Sequence, residues 1–335
     1  MPSPAGQKAE EAARPMLPLS GGGKEGHPAG AAAAGKDEEA RRKGRLGLAL
    51  MAVSAMFYAL MGLLVKLLAN DKIPTFELVL LRQLVVAIMS GAGMALQGLG
   101  AREMWGKPEN RRILLWRGFV GFFGVCTYFY SFKDLDIKDA QTLQFTAPVW
   151  TAVIAGAFLG EKWTWKEKGA TVLSLAGVLL IAQPPFLVGG GTGAGASPAG
   201  VLAGLSSGAL AGVAYTIVRK VGKAGENPSV PVFVFAATSV PLALVFGPLV
   251  EPFVAPTATE LLEMILVGNL AWGAQFFLSK SLTLEKAGKA TSMTFLKVLL
   301  SYVLGAAFLG ETVTLPSLAG AVLVVAASYA VVTSS

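Results

Sequence analysis

The sequence predicts an all-α polytopic membrane protein, with ten transmembrane helices arranged as two inverted five-helix repeats. Three observations carry this expectation. The chain is 53% hydrophobic and only 15% charged, with a mean hydropathy of +0.59, more apolar than a soluble domain of this length. Its apolar residues gather into ten runs of about twenty, the length a bilayer core requires. The pentapeptide AFLGE stands twice, at 157–161 and at 307–311, closing the fourth run and the ninth.

The runs are 46–68, 75–97, 113–132, 141–160 and 169–188, then 199–218, 229–250, 260–279, 290–310 and 315–332. Hydrocarbon offers backbone amides no water to bond, so spans this long and apolar are expected to be helices. Residues 1–44 are rich in Ala, Gly, Pro, Lys and Glu, bury little, and are expected to form a disordered tail. They do not read as a signal peptide, because no apolar stretch precedes the first run, nor as a transit peptide, because of Glu10, Glu11, Glu25, Asp37, Glu38 and Glu39. The first repeat is placed at 45–188 and the second at 199–335, joined by the Gly-rich linker 189–198.

Charge fixes the expected orientation. With the N-terminus in the cytosol, seventeen Lys and Arg fall in the cytosolic connections, including Arg41, Arg42, Arg111, Arg112, Lys166, Arg219 and Lys286. Only Lys72, Lys133 and Lys138 fall on the other side. The positive-inside rule therefore puts both termini in the cytosol. The formal charge of +7 is then mostly topology, and a nucleic-acid partner is not expected.

The repeat extends beyond AFLGE. At an offset of 150, Phe145 falls on Phe295 and Thr151 on Ser301. At 153, Ser54–Lys66 falls on Ser207–Arg219; near 147, Gly121 meets Gly268. A second match, SLAG at 174 and at 317, breaks this register and reads as coincidence. Each half holds five spans, an odd number, so the second half must start on the opposite side of the membrane. Opposed halves related by an axis in the membrane plane are typical of carriers that expose one cavity to either side in turn.

The first half resembles an EamA repeat of the drug/metabolite transporter superfamily. The matching residues are Arg117-Gly118 at the start of the third span, Pro148 in the fourth, Gly160-Glu161 ending it, and Gly169 and Gly177 in the fifth. The following Pro184-Pro185-Phe186-Leu187 is similar to the group G branch of solute carrier family 35. The resemblance covers residues 45–332, although the second half has Val298 where the first has Pro148. It implies ten helices, alternating access and an organic solute.

Polar residues inside spans are costly and mark candidate solute contacts. Gln141, Gln144 and Thr151 form one stripe on the fourth span, with Thr291, Thr294 and Ser301 on the corresponding stripe of the ninth. Interhelical hydrogen bonding uses the same residue types. Four cations lie within spans. Lys66 can snorkel from a helix end, and Arg117 reads as a tie for helix ends. Arg82 and Lys297 are deeper, and Lys297 sits beside Thr294 and Ser301 without a central carboxylate in any span. These two are expected to neutralise an anionic solute, phosphorylated or carboxylated, with Lys serving as a point charge; for Lys297, bonding to backbone carbonyls or snorkelling is the competing reading. Asn269, Trp272 and Gln275 on the eighth span and Tyr130 on the third complete the candidate solute-binding set.

The only histidine, His27, lies in the tail, and the one cysteine, Cys126, reads as a small apolar filler. No catalytic constellation, metal site or cofactor is expected. Without carboxylates on the path, exchange or facilitated diffusion is expected rather than proton symport. The partners are then a small-molecule solute and the lipid bilayer, with a homodimer left open. A divalent-cation permease or a regulatory membrane protein of the same fold remains the alternative.

Overall fold

The computed structural model describes residues 28–68, 75–135, 137–183, 197–250, 252–310 and 314–333. The chain divides into two compact units, Met1–Ala40 and Arg41–Ser335. Helix α1 is Pro28–Leu68 and α2 is Thr75–Leu96. They are followed by α3 Pro108–Asp134, α4 Ile137–Gln144, α5 Ala147–Leu159 and α6 Trp165–Ala182. The second part of the chain supplies α7 Pro198–Lys223, α8 Ser229–Val250, α9 Ala258–Leu284, α10 Ala287–Ser292, α11 Leu296–Leu309 and α12 Leu315–Thr333.

Among the described residues, nine helical segments are long and apolar enough to cross a membrane. Of the ten expected spans, the fifth is the exception. It is the 18-residue α6, whose first turn carries Lys166, Glu167 and Lys168, and the run expected to reach Val188 passes beyond Gln183 into residues outside the described set. A second difference concerns the tail. Residues 28–44, expected to be disordered, are helical, because Ala31–Ala34 and the Glu and Arg residues that follow are strong helix formers. Residues 1–27 lie outside the described set, as does the PPFL motif at 184–187.

The helix boundaries follow from local chemistry. Thr164 and Thr257 each accept a hydrogen bond from the backbone N–H three residues on, while Glu167 and Glu260 accept one in return. These capping boxes satisfy two orphan donors apiece at the starts of α6 and α9. The Gly of each AFLGE ends its helix in the left-handed region, Gly160 with φ 65° and Gly310 with φ 66°, a conformation that costs an L side chain energy. The repeated pentapeptide is thus a helix stop used twice.

Small residues set the packing, as expected where lipid removes the hydrophobic drive between helices. On α7, Gly200, Gly204, Gly208 and Gly212 form a stripe of period four. A Cβ on these glycines would lie 2.8 Å from Asp134, 2.8 Å from Leu143, 2.6 Å from the Thr146 hydroxyl and 2.8 Å from Trp150. The stripe is therefore the bed on which α4 and α5 rest. Helices α6 and α12 cross where Gly177 meets Gly320, a Cβ on either glycine falling within 2.7 Å of the other's carbonyl. The SLAG match that breaks the repeat register marks this crossing.

Long-range bonds gather the connections into two sets. Lys107 N–H donates to Glu226 at 2.9 Å, and Asn227 donates to Gln97 at 2.8 Å. Arg219 binds Glu161, Leu282 and Thr283, and Gly44 and Gly47 abut Glu285. These contacts join the segments near residues 44, 107, 161, 225 and 285. A separate set joins Glu77 to the Val254 N–H at 3.0 Å and Gln183 to Thr314 at 3.2 Å. The Lys- and Arg-rich connections thus share contacts with one another.

Candidate solute-binding site

Two helices are broken at corresponding places. The fourth span runs as α4, a tight turn and α5; the Phe145 N–H is shared between the Gln141 and Thr142 carbonyls, and the Thr146 N–H returns to Leu143. Pro148 removes a donor at the start of α5, which favours the break. The ninth span runs as α10, a 3-10 turn at Met293–Phe295 and α11. It breaks without a proline. Here the Thr291 hydroxyl donates to Ala287, Ser292 to Lys289 and Thr294 to Thr291 carbonyls, and such back-bonds compete with the helical ladder. Phe145 and Phe295, aligned in the sequence repeat, each stand at one break.

Lys297 links the two breaks. It lies one residue past the start of α11, and its Nζ is 5.2 Å from the centre of the Phe145 ring and 5.5 Å from that of Tyr58 on α1. Both distances fit cation–π attraction. Lys297 and Arg82 are both half-buried. The Arg82 Nε is buried without a hydrogen-bond partner.

Arg117 was expected to tie helix ends, and it does not. Its Nε and Nη1 are buried and unpartnered, and its guanidinium lies 4.3 Å over the Phe235 ring of α8. Gly121 makes the room, since a Cβ there would be 2.5 Å from the Arg117 Nη1. The buried carboxylates are committed elsewhere. Glu77 accepts from Val254, Glu167 caps α6, Glu226 accepts from Lys107 and Asn110, and Glu285 pairs with Lys289.

The remaining candidates divide. Gln144, half-buried, ends α4 at the first break, and Thr294, half-buried, lies in the second. Gln141 is exposed and bonded to Tyr128. Thr151 is fully buried against Gly212, its hydroxyl donating to Ala147 at 2.8 Å. Ser301 is exposed, and Asn269 donates to the Ile265 carbonyl at 2.8 Å. Trp272 stacks on Phe276 with its indole N–H unpartnered, and Gln275 is buried on the same helix. Tyr130 is 49% exposed. Lys66 keeps its helical backbone, but its side chain lies outside the described set. A groove of about 620 Å³ on α3, lined by Trp116, Phe119 and Phe123 among others, is apolar and holds none of the four intramembrane cations.

A bonded cluster closes the same set of connections that carries most of the Lys and Arg. The Arg219 Nε is 2.7 Å from Glu161, and its Nη1 donates to the Leu282 and Thr283 carbonyls at 3.0 and 3.1 Å. The other Glu161 oxygen accepts from the Ala287 N–H at 2.8 Å. One ion pair thus joins the end of α5 to α7, α9 and α10. Glu161 is the acid of the first AFLGE; Glu311, its counterpart, is outside the described residues.

Comparison with known proteins names the fold. The profile of the EamA-like transporter family matches residues 45–183 and again 198–333. The chain belongs to the EamA-like transporter family. Like this EamA protein, solute carrier family 35 member G1 of Mus musculus shares its sequence, at 28% identity over 225 residues, 65% of this chain and 61% of the relative. The EamA chain therefore spans less than two thirds of that relative's length. The pseudopaline exporter CntI of Pseudomonas aeruginosa is 25% identical over 288 residues, 84% of this chain and 94% of its own. A solved crystal structure superposes with a TM-score of 0.72 at 17% identity, covering 86% of this chain and 97% of that one. The family match and the nine apolar helices among the described residues make the chain an integral multi-pass membrane protein.

Proposed function

We propose that this EamA protein carries a small anionic organic metabolite across the membrane by alternating access. The observation that carries the reading is Lys297, unpaired with any carboxylate among the described residues, at the meeting of two broken helices. Discontinuous helices line the midplane site in carriers built from inverted repeats, and an uncompensated ammonium at depth calls for an anion. Two family matches along one chain, two breaks at repeat-related positions and the shared contacts of alternate connections all support ten spans in two inverted halves. The Lys- and Arg-rich end, with both termini, is then cytosolic.

The Glu161–Arg219 pair acts in this scheme as a latch on the cytosolic end. At the repeat offsets its counterparts are Glu311 and Lys66. With the buried carboxylates engaged in structural bonds, transport proceeds by exchange or facilitated diffusion. The test replaces Lys297 by Gln and compares uptake of anionic and neutral solutes into proteoliposomes. Anion uptake is expected to fall at least tenfold, the loss of one charge-assisted contact, with neutral uptake unaffected. Unchanged anion uptake removes Lys297 from the site and with it the anionic reading.

A further inference from the structure

We propose that Arg117, together with the phenols of Tyr58 and Tyr215, completes the site begun by Lys297 and Arg82, and that the solute it takes carries at least two negative charges. This rests on the anionic reading above and goes beyond it in naming the charge of the solute and three further residues.

The argument begins with Tyr58. Its ring receives the Lys297 ammonium at 5.5 Å, and its hydroxyl is within electrostatic reach of both Arg82 and Arg117. Tyr215, on α7, is within reach of Tyr58 and Arg117. Tyr58 on α1 thus has the Lys297 ammonium over its ring and the fields of Arg82 on α2 and Arg117 on α3 acting on its hydroxyl. None of the three cations is paired with a carboxylate among the described residues, and neither phenol has a hydrogen-bond partner there. Arginine, lysine and the phenolic O–H present donors. The cluster is thus rich in donors and poor in acceptors, with an uncompensated charge of three. One negative charge leaves two cations unneutralised in a low-dielectric interior, where the cost of unpaired charge is steep.

Arg117 has the build of a binding residue. It is 5% exposed, and it is steadied by the Phe235 ring and the space above Gly121 rather than by hydrogen bonds. A guanidinium held that way leaves its Nε and Nη1 donors buried and unpartnered, and a guanidinium fork matches a bidentate partner, carboxylate or phosphate. A residue tying helix ends would instead donate to their free carbonyls, as Arg219 does to Leu282 and Thr283.

The experiment uses the full chain in proteoliposomes and two solute pairs. One is glycerol phosphate and its methyl diester, the other succinate and its monomethyl ester, at neutral pH where the first member of each pair is mainly a dianion. The wild type is expected to prefer the dianion by about tenfold or more, one extra charge-assisted pairing. Arg117→Gln is expected to reduce that preference to about twofold or less on the same scale while sparing the monoanion, with Arg117→Lys recovering part of it. Tyr58→Phe, which keeps the ring and loses the hydroxyl, is expected to weaken dianion uptake alone. Melting curves confirm that each variant folds. Equal handling of dianion and monoanion by the wild type overturns the charge assignment, as does a proportionate loss of all solutes in a folded Arg117→Gln. If glycerol, run alongside as a neutral solute, passes and no anion does, the anionic reading itself falls.

Discussion

Replacing Arg219 by Met separates a latch from a mere staple. The substitution removes an ion pair at 2.7 Å and two bonds to carbonyls at 3.0 and 3.1 Å. Glu161 stays buried, its side chain 9% exposed, with the Ala287 N–H and a distant Lys223 at 3.9 Å as its remaining partners. Removing one member of a buried pair costs about 3–5 kcal/mol. Lys223, whose side chain is 47% exposed, returns roughly 1 kcal/mol at most. A net effect of about 3 kcal/mol is a change of roughly a hundredfold in the population with this end open. The assay places a cysteine at Thr291, which is fully buried four residues beyond Ala287, in a Cys126→Ala background. Labelling by a membrane-impermeant maleimide from the cytosolic face is expected to accelerate by about that hundredfold factor. A variant that melts earlier but labels at the wild-type rate refutes the latch and leaves a structural staple.

Three further outcomes follow from the packing. Gly160→Ala and Gly310→Ala each force an L residue to hold a positive φ and are expected to cost about 1 kcal/mol apiece, read as matching falls in melting temperature. Gly212→Val puts side-chain atoms where Trp150 and Thr151 already stand; the overpacking is expected to cost about 1–3 kcal/mol or more and to abolish transport, whereas Gly62→Val, with nothing near its Cβ, is expected to preserve it. Removing residues 1–27 is expected to leave the transport rate in proteoliposomes within about twofold of the full chain, since a composition rich in Ala, Gly, Pro, Lys and Glu offers little to bury.

The intramembrane cations were legible along the chain because a bilayer makes local pattern informative. A charged residue in a run of about twenty apolar ones stands out, which is how Lys297 and Arg82 were singled out. Neither break was expected: Pro148, noted only as a family residue, stands at one, and the other arises from three hydroxyls returning to carbonyls of their own turn. Arg117 was visible as a cation but misjudged, since a sequence does not reveal whether a guanidinium has found carbonyls. Tyr58, Tyr215 and Phe145 carried no signal, being aromatic residues among many.

The sequence by itself determined the helical class and the apolar runs, because each depends on residues within a few turns of one another. Tertiary structure alone decided which residues meet. Lys297 reaches Phe145 across 152 positions of chain, Arg117 finds Phe235 across 118, and Gly177 finds Gly320. Such encounters are selected by the fit of small residues between helices, a property of two surfaces that no single stretch of chain contains.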